Sequence, residues 1–382
     1  MLVIAAAVVV AFELEDRGQG KGPGASVTTR LTPSTTTPPP PPRLVTSALA
    51  HAPLPVPIVA TLVLPGSPGH LLIIGGGLSD GNGAYGVFSM STVTGTLHQV
   101  ANLASPLDYA SGAVLGRQVY VFGGKGTAIT STVESFPASG ATAQTRSTGS
   151  STATTAVPTA TATGALPKPR AGSVAVKIGT TVYVVGGYYG DHPQGAVLAT
   201  SDGGTFTTVA RLPVPVRDAA AAAKGGKIYV FGGERLVAPK AGRAGHATPT
   251  WVTVRAVQEV DPATGRATVI GKLRSPVEGA LAVNLGGNLY LAGGNGVGGV
   301  NAQIWGFEPA TAGWALCGHL KAPVADAGFT VIGGTKAWVV GGMSTAGRLV
   351  GTVQTFRPTA QAASPARGSS PRTTTTSTSP AR

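Results

Sequence analysis

A short apolar segment ending in two glycines recurs along the chain. It reads LLIIGG at Gly75-Gly76, VYVFGG at Gly123-Gly124, VYVVGG at Gly186-Gly187, IYVFGG at Gly232-Gly233, LYLAGG at Gly293-Gly294 and AWVVGG at Gly341-Gly342. Successive first glycines lie 48, 63, 46, 61 and 48 residues apart. The two long intervals hold visible insertions, at 147–164 and 234–250, and without them the period is near 47. The segments are rich in β-branched and aromatic residues, which favour strands. A small-residue apolar run such as SVAVKI or ALAVNL precedes each one, across a tight turn such as Gly225-Gly226, Gly286-Gly287 or Gly333-Gly334. After a variable loop comes a third run, VQEVDP or QIWGFEP, and a turn such as Pro262 to Gly265 leads to a fourth, such as ATVIGKL. Four short strands per unit at this period describe a propeller blade.

The repeat resembles the Kelch family of β-propellers over residues 43–358. The resemblance rests on the six glycine pairs, on Tyr120, Tyr183, Tyr229, Tyr290 and Trp338 before them, and on ATAGW ending at Trp314. It departs from the family in the fourth strand, where only Trp314 keeps the tryptophan and Leu97, Phe206 and Ala267 replace it. The resemblance implies an all-β, six-bladed propeller with four-stranded antiparallel blades. The last unit supplies only three strands before Pro358. The segment RLVTSALAHAPLPVP (Arg43 to Pro57) matches FTTVARLPVPV (Phe206 to Val216), a fourth strand plus turn. The N-terminal strand is therefore expected to complete the last blade, so that no open sheet edge remains. The twelve glycines of the pairs, at 75, 76, 123, 124, 186, 187, 232, 233, 293, 294, 341 and 342, read as structural: they permit close backbone approach and dihedrals other residues avoid.

Outside the repeat the composition changes. Leu2 to Phe12 is an eleven-residue apolar run within a segment spanning 1–17. It is too short for a spanning helix of about 20 residues and fits a signal-peptide core of about 7–15, without a positive flank. Residues 18–42 form a Gly/Thr/Pro-rich linker ending in five prolines, expected to be an extended spacer. The tract at 147–164 and the tail at 359–382 are Ser/Thr/Pro-rich and read as disordered or stalk-like. Together these segments point to an exported or membrane-tethered protein of the cell envelope, with a stray apolar N-terminus on a cytoplasmic protein as the alternative.

The chemistry is sparse. Charged residues make up 11% of the 382, the formal net charge is +13, and 42% of residues are hydrophobic. That is apolar enough for a core, and 56 Gly with 30 Pro exclude a helical bundle. Fifteen residues before each first glycine lie Asp108, Ala171, Arg217, Glu278 and Asp326, with Val59 near the first. In a propeller these positions should surround the mouth of the central channel, with Asp218 beside Arg217. The loops after the glycines add Tyr188, Tyr189, Asp191 and His192 in one unit. In the next they add Arg235, Lys240, Arg243, His246 and Trp251. Aromatic planes beside cations suit sugars or anionic polymers. Ordinary solvated turn residues are the plainer alternative.

No catalytic constellation stands out. Gly294-Asn295-Gly296 with Gly299 fits G-x-G-x-x-G, but a strand follows instead of a helix. SDGGTF at 201–206 loosely resembles the Asp-box turn of sialidases. Cys317 lacks the tyrosine and histidine companions that copper-radical oxidases of the Kelch fold need, and it reads as a small hydrophobe. The expectation is a monomeric, non-catalytic binding module without cofactor or metal, recognising a protein or an anionic or carbohydrate polymer through one face. There is no specific nucleic-acid motif. The alternative is a Kelch-scaffold enzyme acting on a carbohydrate, of hydrolase or epimerase type.

Overall fold

A computed structural model describes residues 41–139, 157–238 and 249–362. The apolar segment 1–17, most of the linker 18–42, most of the 147–164 tract and most of the 359–382 tail lie outside these residues. So do Lys240, Arg243 and His246.

Each of the first five repeats folds into an antiparallel sheet of four strands in chain order. In the fourth sheet Ala220–Lys224 pairs with Lys227–Phe231, which pairs with Ala256–Asp261 and then Arg266–Lys272. Five sheets follow this plan, and the third carries one extra two-residue strand, His192–Pro193. The sixth sheet draws on both ends of the described chain. Its order is Gly328–Ile332, Lys336–Val340, Val353–Ala362 and Arg43–Leu49. The N-terminal strand runs antiparallel to Val353–Ala362, with Arg43 opposite Ala362 and Leu49 opposite Gln354. That partner strand continues four residues beyond Pro358, where the repeat was expected to end. The 147–164 tract is likewise not all linker. Thr161–Ala165 is the fourth strand of the second sheet, paired with Thr132–Pro137. Its β-branched threonines suit an exposed edge, and the buried Ala160 anchors its start.

The innermost strands touch in sequence. Leu62–Pro65 meets Ser111–Leu115, which meets Ala171–Ile178, then Ala220–Lys224, Leu281–Leu285 and Gly328–Ile332, and this last strand meets Leu62–Pro65 again. The sheets thus fit a β-propeller. The core lies between neighbouring sheets. One cluster joins Ala220, Tyr229 and Phe231 of the fourth sheet to Leu289, Leu291 and Phe307 of the fifth. Buried polar side chains clamp alternate seams: Gln258 exchanges two hydrogen bonds with the Val214 backbone, both at 2.9 Å, and Gln354 does the same with Ala322.

The glycine pairs sit where the second strand ends against the next sheet. Gly232 and Gly233 have φ of 61° and 85°. A Cβ on Gly232 would strike the Val277 carbonyl oxygen, and the Gly233 N–H donates to that same oxygen at 2.8 Å. The left-handed dihedrals and the carbonyl in the place of a Cβ both demand glycine.

Candidate functional site

Six residues, one at the start of each inner strand or just before it, form a chain of backbone hydrogen bonds around the central cavity. The N–H of Tyr109 donates to the Ala60 carbonyl, Gly172 to Tyr109, Asp218 to Gly172, Gly279 to Asp218, Asp326 to Gly279, and Ala60 to Asp326. The bonds measure 2.8–3.2 Å and return to their starting residue. All six residues have φ between 50° and 60°. Ala60, Tyr109, Asp218 and Asp326 hold this left-handed conformation without being glycine, a cost their surroundings sustain.

This geometry corrects the fifteen-residue count. Asp326 is the one counted residue that occupies the ring. In the second to fifth sheets the ring position is one residue later, at Tyr109, Gly172, Asp218 and Gly279, which displaces Asp108, Ala171, Arg217 and Glu278 to the rim. In the first sheet it is Ala60. The two ring glycines make room for the two ring carboxylates: a Cβ on Gly172 would meet Asp218 Oδ1, and one on Gly279 would meet Asp326 Oδ1.

Asp218, Asp326 and Tyr109 line a cavity of about 180 Å³, with Thr61, Ser111 and Ser173 further along its wall. Burial pushes the Asp218 carboxyl well above the usual carboxylate range, and nearby Asp326 adds to the shift. Burial, reinforced by Glu278 and Glu234, pushes Asp326 up to about 7. Burial also raises Glu278, against the Asn295 amide that donates to it at 2.7 Å, and raises Asp108 against Lys125. One Asp108 carboxylate oxygen is buried without a hydrogen-bond partner.

Arg217 is held away from the cavity. It donates from Nε and Nη2 to Glu234 Oε2 at 3.0 and 2.7 Å, and its Nε lies 3.4 Å from Asp218 Oδ2. Its guanidinium sits 3.9 Å from the Trp251 ring centroid and 4.8 Å from that of Tyr188. The strands Glu234–Val237 and Thr250–Thr253 form the hairpin that brings Trp251 there. The fold therefore gathers Asp108, Tyr188, Arg217, Asp218, Trp251, Glu278 and Asp326 around one mouth. Tyr189, Asp191, His192 and Arg235 are exposed, with Tyr189 and His192 paired on the hairpin that extends the third sheet.

Sequence reasoning missed Tyr109 and Glu234. Tyr109 has no motif, and Glu234 is marked only by following a glycine pair. Asp202 of SDGGTF proves to be a turn residue. Its Oδ1 accepts from the N–H groups of Gly204 and Thr205 at 2.9 and 2.8 Å, and these bonds, with that of the Thr205 hydroxyl, hold its pKa far below the usual range. Cys317 is buried, and burial pushes its thiol up to about 11, so it is a poor nucleophile at neutral pH. Among the described residues no group of three or more His, Cys, Asp or Glu is placed to hold a metal ion.

The Asp326 shift has a measurable consequence. Its carboxyl binds a proton more tightly in the folded protein, at about 7, than at the ordinary 3.8. The folded state therefore holds more protons between these values, and stability falls as pH rises through that window. Asp326→Asn removes this contribution. Urea unfolding at pH 5 and pH 8 is expected to show the native protein losing about 1.4 kcal/mol more than the variant, half of what the two units between pH 5 and about 7 give at about 1.4 kcal/mol each. An identical loss in both proteins would place the titration elsewhere.

No protein-family model matches the chain, and no curated protein matches it. A solved structure, that of YjhT, is similar to 83% of this chain and 100% of its own, with a TM-score of 0.63 and 16% identity. At that identity the likeness shows a shared fold, and the chain is an all-β protein of propeller-like, four-stranded antiparallel sheets.

Proposed function

We propose that the chain is a six-bladed Kelch-type β-propeller, closed by its N-terminal strand, and that it is a non-catalytic binding module whose mouth-bearing face docks a protein and takes one of its basic side chains. The six glycine pairs, the returning chain of hydrogen bonds and the pairing of Arg43–Leu49 with Val353–Ala362 support the architecture. One observation carries the function: Asp218 and Asp326 face the cavity, while the nearby cation Arg217 is already engaged by Glu234 and Trp251. A cavity of about 180 Å³ is below the roughly 300–1,000 Å³ of pockets that enclose whole ligands, and it suits a single side chain. Asp218 and Asp326 are the charged groups that line the cavity, and an incoming cation would displace the protons that burial holds on their carboxyls, whereas an anionic polymer would have to use other surfaces.

The test is fluorescence anisotropy with a labelled lysine-rich peptide and its glutamate-substituted counterpart. The lysine peptide is expected to bind, and Asp326→Asn to weaken it at least tenfold with the melting temperature at pH 5 unchanged. Equal binding of both peptides, or no effect of the substitution, would overturn the reading. The second reading, an enzyme acting on a carbohydrate, draws on the raised Glu278 and Asp326 carboxyls beside one cavity, since a carboxyl still protonated near neutrality is a candidate general acid. Turnover of aryl glycosides or sugar anomers, lost in Asp326→Asn, would favour it.

Export or tethering through the N-terminal apolar run is part of the proposal, motivated by the Pro/Thr-rich spacer that follows it. No helix among the described residues is long and apolar enough to cross a membrane. Cell fractionation tests this, and full-length protein confined to the soluble cytoplasm would refute it.

A further inference from the structure

A larger cleft, lined by none of the charged residues of the mouth, lies between the link Leu273–Val277 that leaves the fourth sheet and the fifth sheet with its 296–301 loop. It encloses about 600 Å³, within the roughly 300–1,000 Å³ of ligand pockets. Two of the four tryptophans, Trp305 and Trp314, line it. Both are fixed by their own chain. The Trp305 indole N–H donates to Gln303 Oε1 at 3.1 Å, and that of Trp314 donates to the Lys272 carbonyl at 3.2 Å while its ring packs on Phe307 at 4.6 Å. Aromatic planes locked before a ligand arrives lower the ordering cost of binding.

The charge of the cleft is opposite to that of the mouth. Its lining contains Arg274 and no Asp or Glu. Arg274 is exposed, makes no ion pair among the described residues, and holds its guanidinium 5.4 Å from the Trp305 ring centroid. The Gln303 amide and the Ser275 hydroxyl lie in the same lining. At the rim, nothing lies within 4 Å of where a Cβ on Gly298 or Gly299 would be, so the entrance is open there.

We propose that this cleft binds an acidic saccharide, with a pyranose ring against Trp305 and its carboxylate on Arg274. A sugar ring presents an apolar C–H face ringed by hydroxyls, which an indole plane flanked by amide and hydroxyl groups complements. An unpaired guanidinium is the side chain best shaped to take a carboxylate through two parallel hydrogen bonds. The net charge of +13 adds attraction for an anion, without choosing where it lands.

The test titrates the full chain with trigalacturonate, and with maltotriose as the neutral counterpart, at physiological ionic strength, following tryptophan emission. Trigalacturonate is expected to give a saturable change, and maltotriose to bind at least tenfold more weakly. Arg274→Gln, at an exposed position, is expected to melt like the native protein and to lose at least tenfold in affinity. Trp305→Ala is expected to abolish binding, and Asp326→Asn at the mouth to leave it unchanged. Native-like affinity in Arg274→Gln, equal affinity for maltotriose, or no saturation would each overturn the proposal. Loss of binding in Asp326→Asn would move the saccharide to the mouth and overturn it as well.

Discussion

A chain of residues 53–382 is expected to melt at least 10 °C below one of residues 41–382, and to aggregate on heating. The shorter chain lacks the strand Arg43–Leu49, which lies along Val353–Ala362 from Arg43 opposite Ala362 to Leu49 opposite Gln354. More than a ladder is lost. The Tyr290 hydroxyl donates to the Arg43 carbonyl at 3.0 Å, Ser47 Oγ to the His319 carbonyl at 2.6 Å, and Thr359 Oγ1 to the Leu44 carbonyl at 3.1 Å. Leu44 and Val45 pack on the core shared by the fifth and sixth sheets, and His51 stacks on Trp338 at 5.9 Å. Removing them frees the edge of Val353–Ala362, a row of unpaired N–H and C=O groups of the kind that templates aggregation. A loss of about 5 kcal/mol at about 2 °C per kcal/mol gives the expected shift. Coincident melting curves would mean that the sixth sheet does not depend on this strand.

Phe307→Ala is expected to cost about 3–5 kcal/mol in denaturant unfolding, the usual range for deleting a fully enclosed ring. Phe307 is 1% exposed and lies at the seam of the fourth and fifth sheets. Its ring is 4.6 Å from Trp314, 5.4 Å from Phe231 and 6.3 Å from Tyr229. These three rings sit on strands of both sheets, so they cannot all close on the void together. Val269→Ala is the matched control: Val269 is 47% exposed and the change should stay within about 0.5 kcal/mol. Comparable costs for the two substitutions would show that the seam is loosely packed.

Much of the fold is local chemistry and was legible along the chain. The glycine pairs are visible because no other residue takes φ of 61° and 85° in succession while a neighbouring carbonyl fills the place of a Cβ, as at Gly232 and Gly233. The four strands of each unit follow from runs of β-branched and aromatic residues broken by Gly-Gly turns. The match of Arg43–Pro57 to a fourth strand anticipated its place beside Val353–Ala362, since a strand carries the same pattern wherever it lies in the sequence.

The mouth was legible in its residue types but not in its register. The first and sixth units hold fifteen residues between ring and glycine, as Ala60 to Gly75 and Asp326 to Gly341 show, whereas the other four hold fourteen, as from Tyr109 to Gly123. A constant count therefore slips by one, and in a strand or turn a slip of one residue exchanges a side chain facing the cavity for its neighbour at the rim. Thr161–Ala165 carries no strand signal of its own, because its small polar composition matches the linker around it, and only pairing with Thr132–Pro137 makes it a strand. The bond of Arg217 to Glu234, its seat on Trp251 and Tyr188, and the raised Asp326 are properties of distance and burial between loops of different sheets. The sequence by itself determined the strands, the repeat and the glycines, because those depend on dihedrals and side-chain shape within a few residues. Only the tertiary structure decided which carboxylates share the cavity and which cation is already engaged, because electrostatic energies depend on separations and desolvation that arise when distant segments meet.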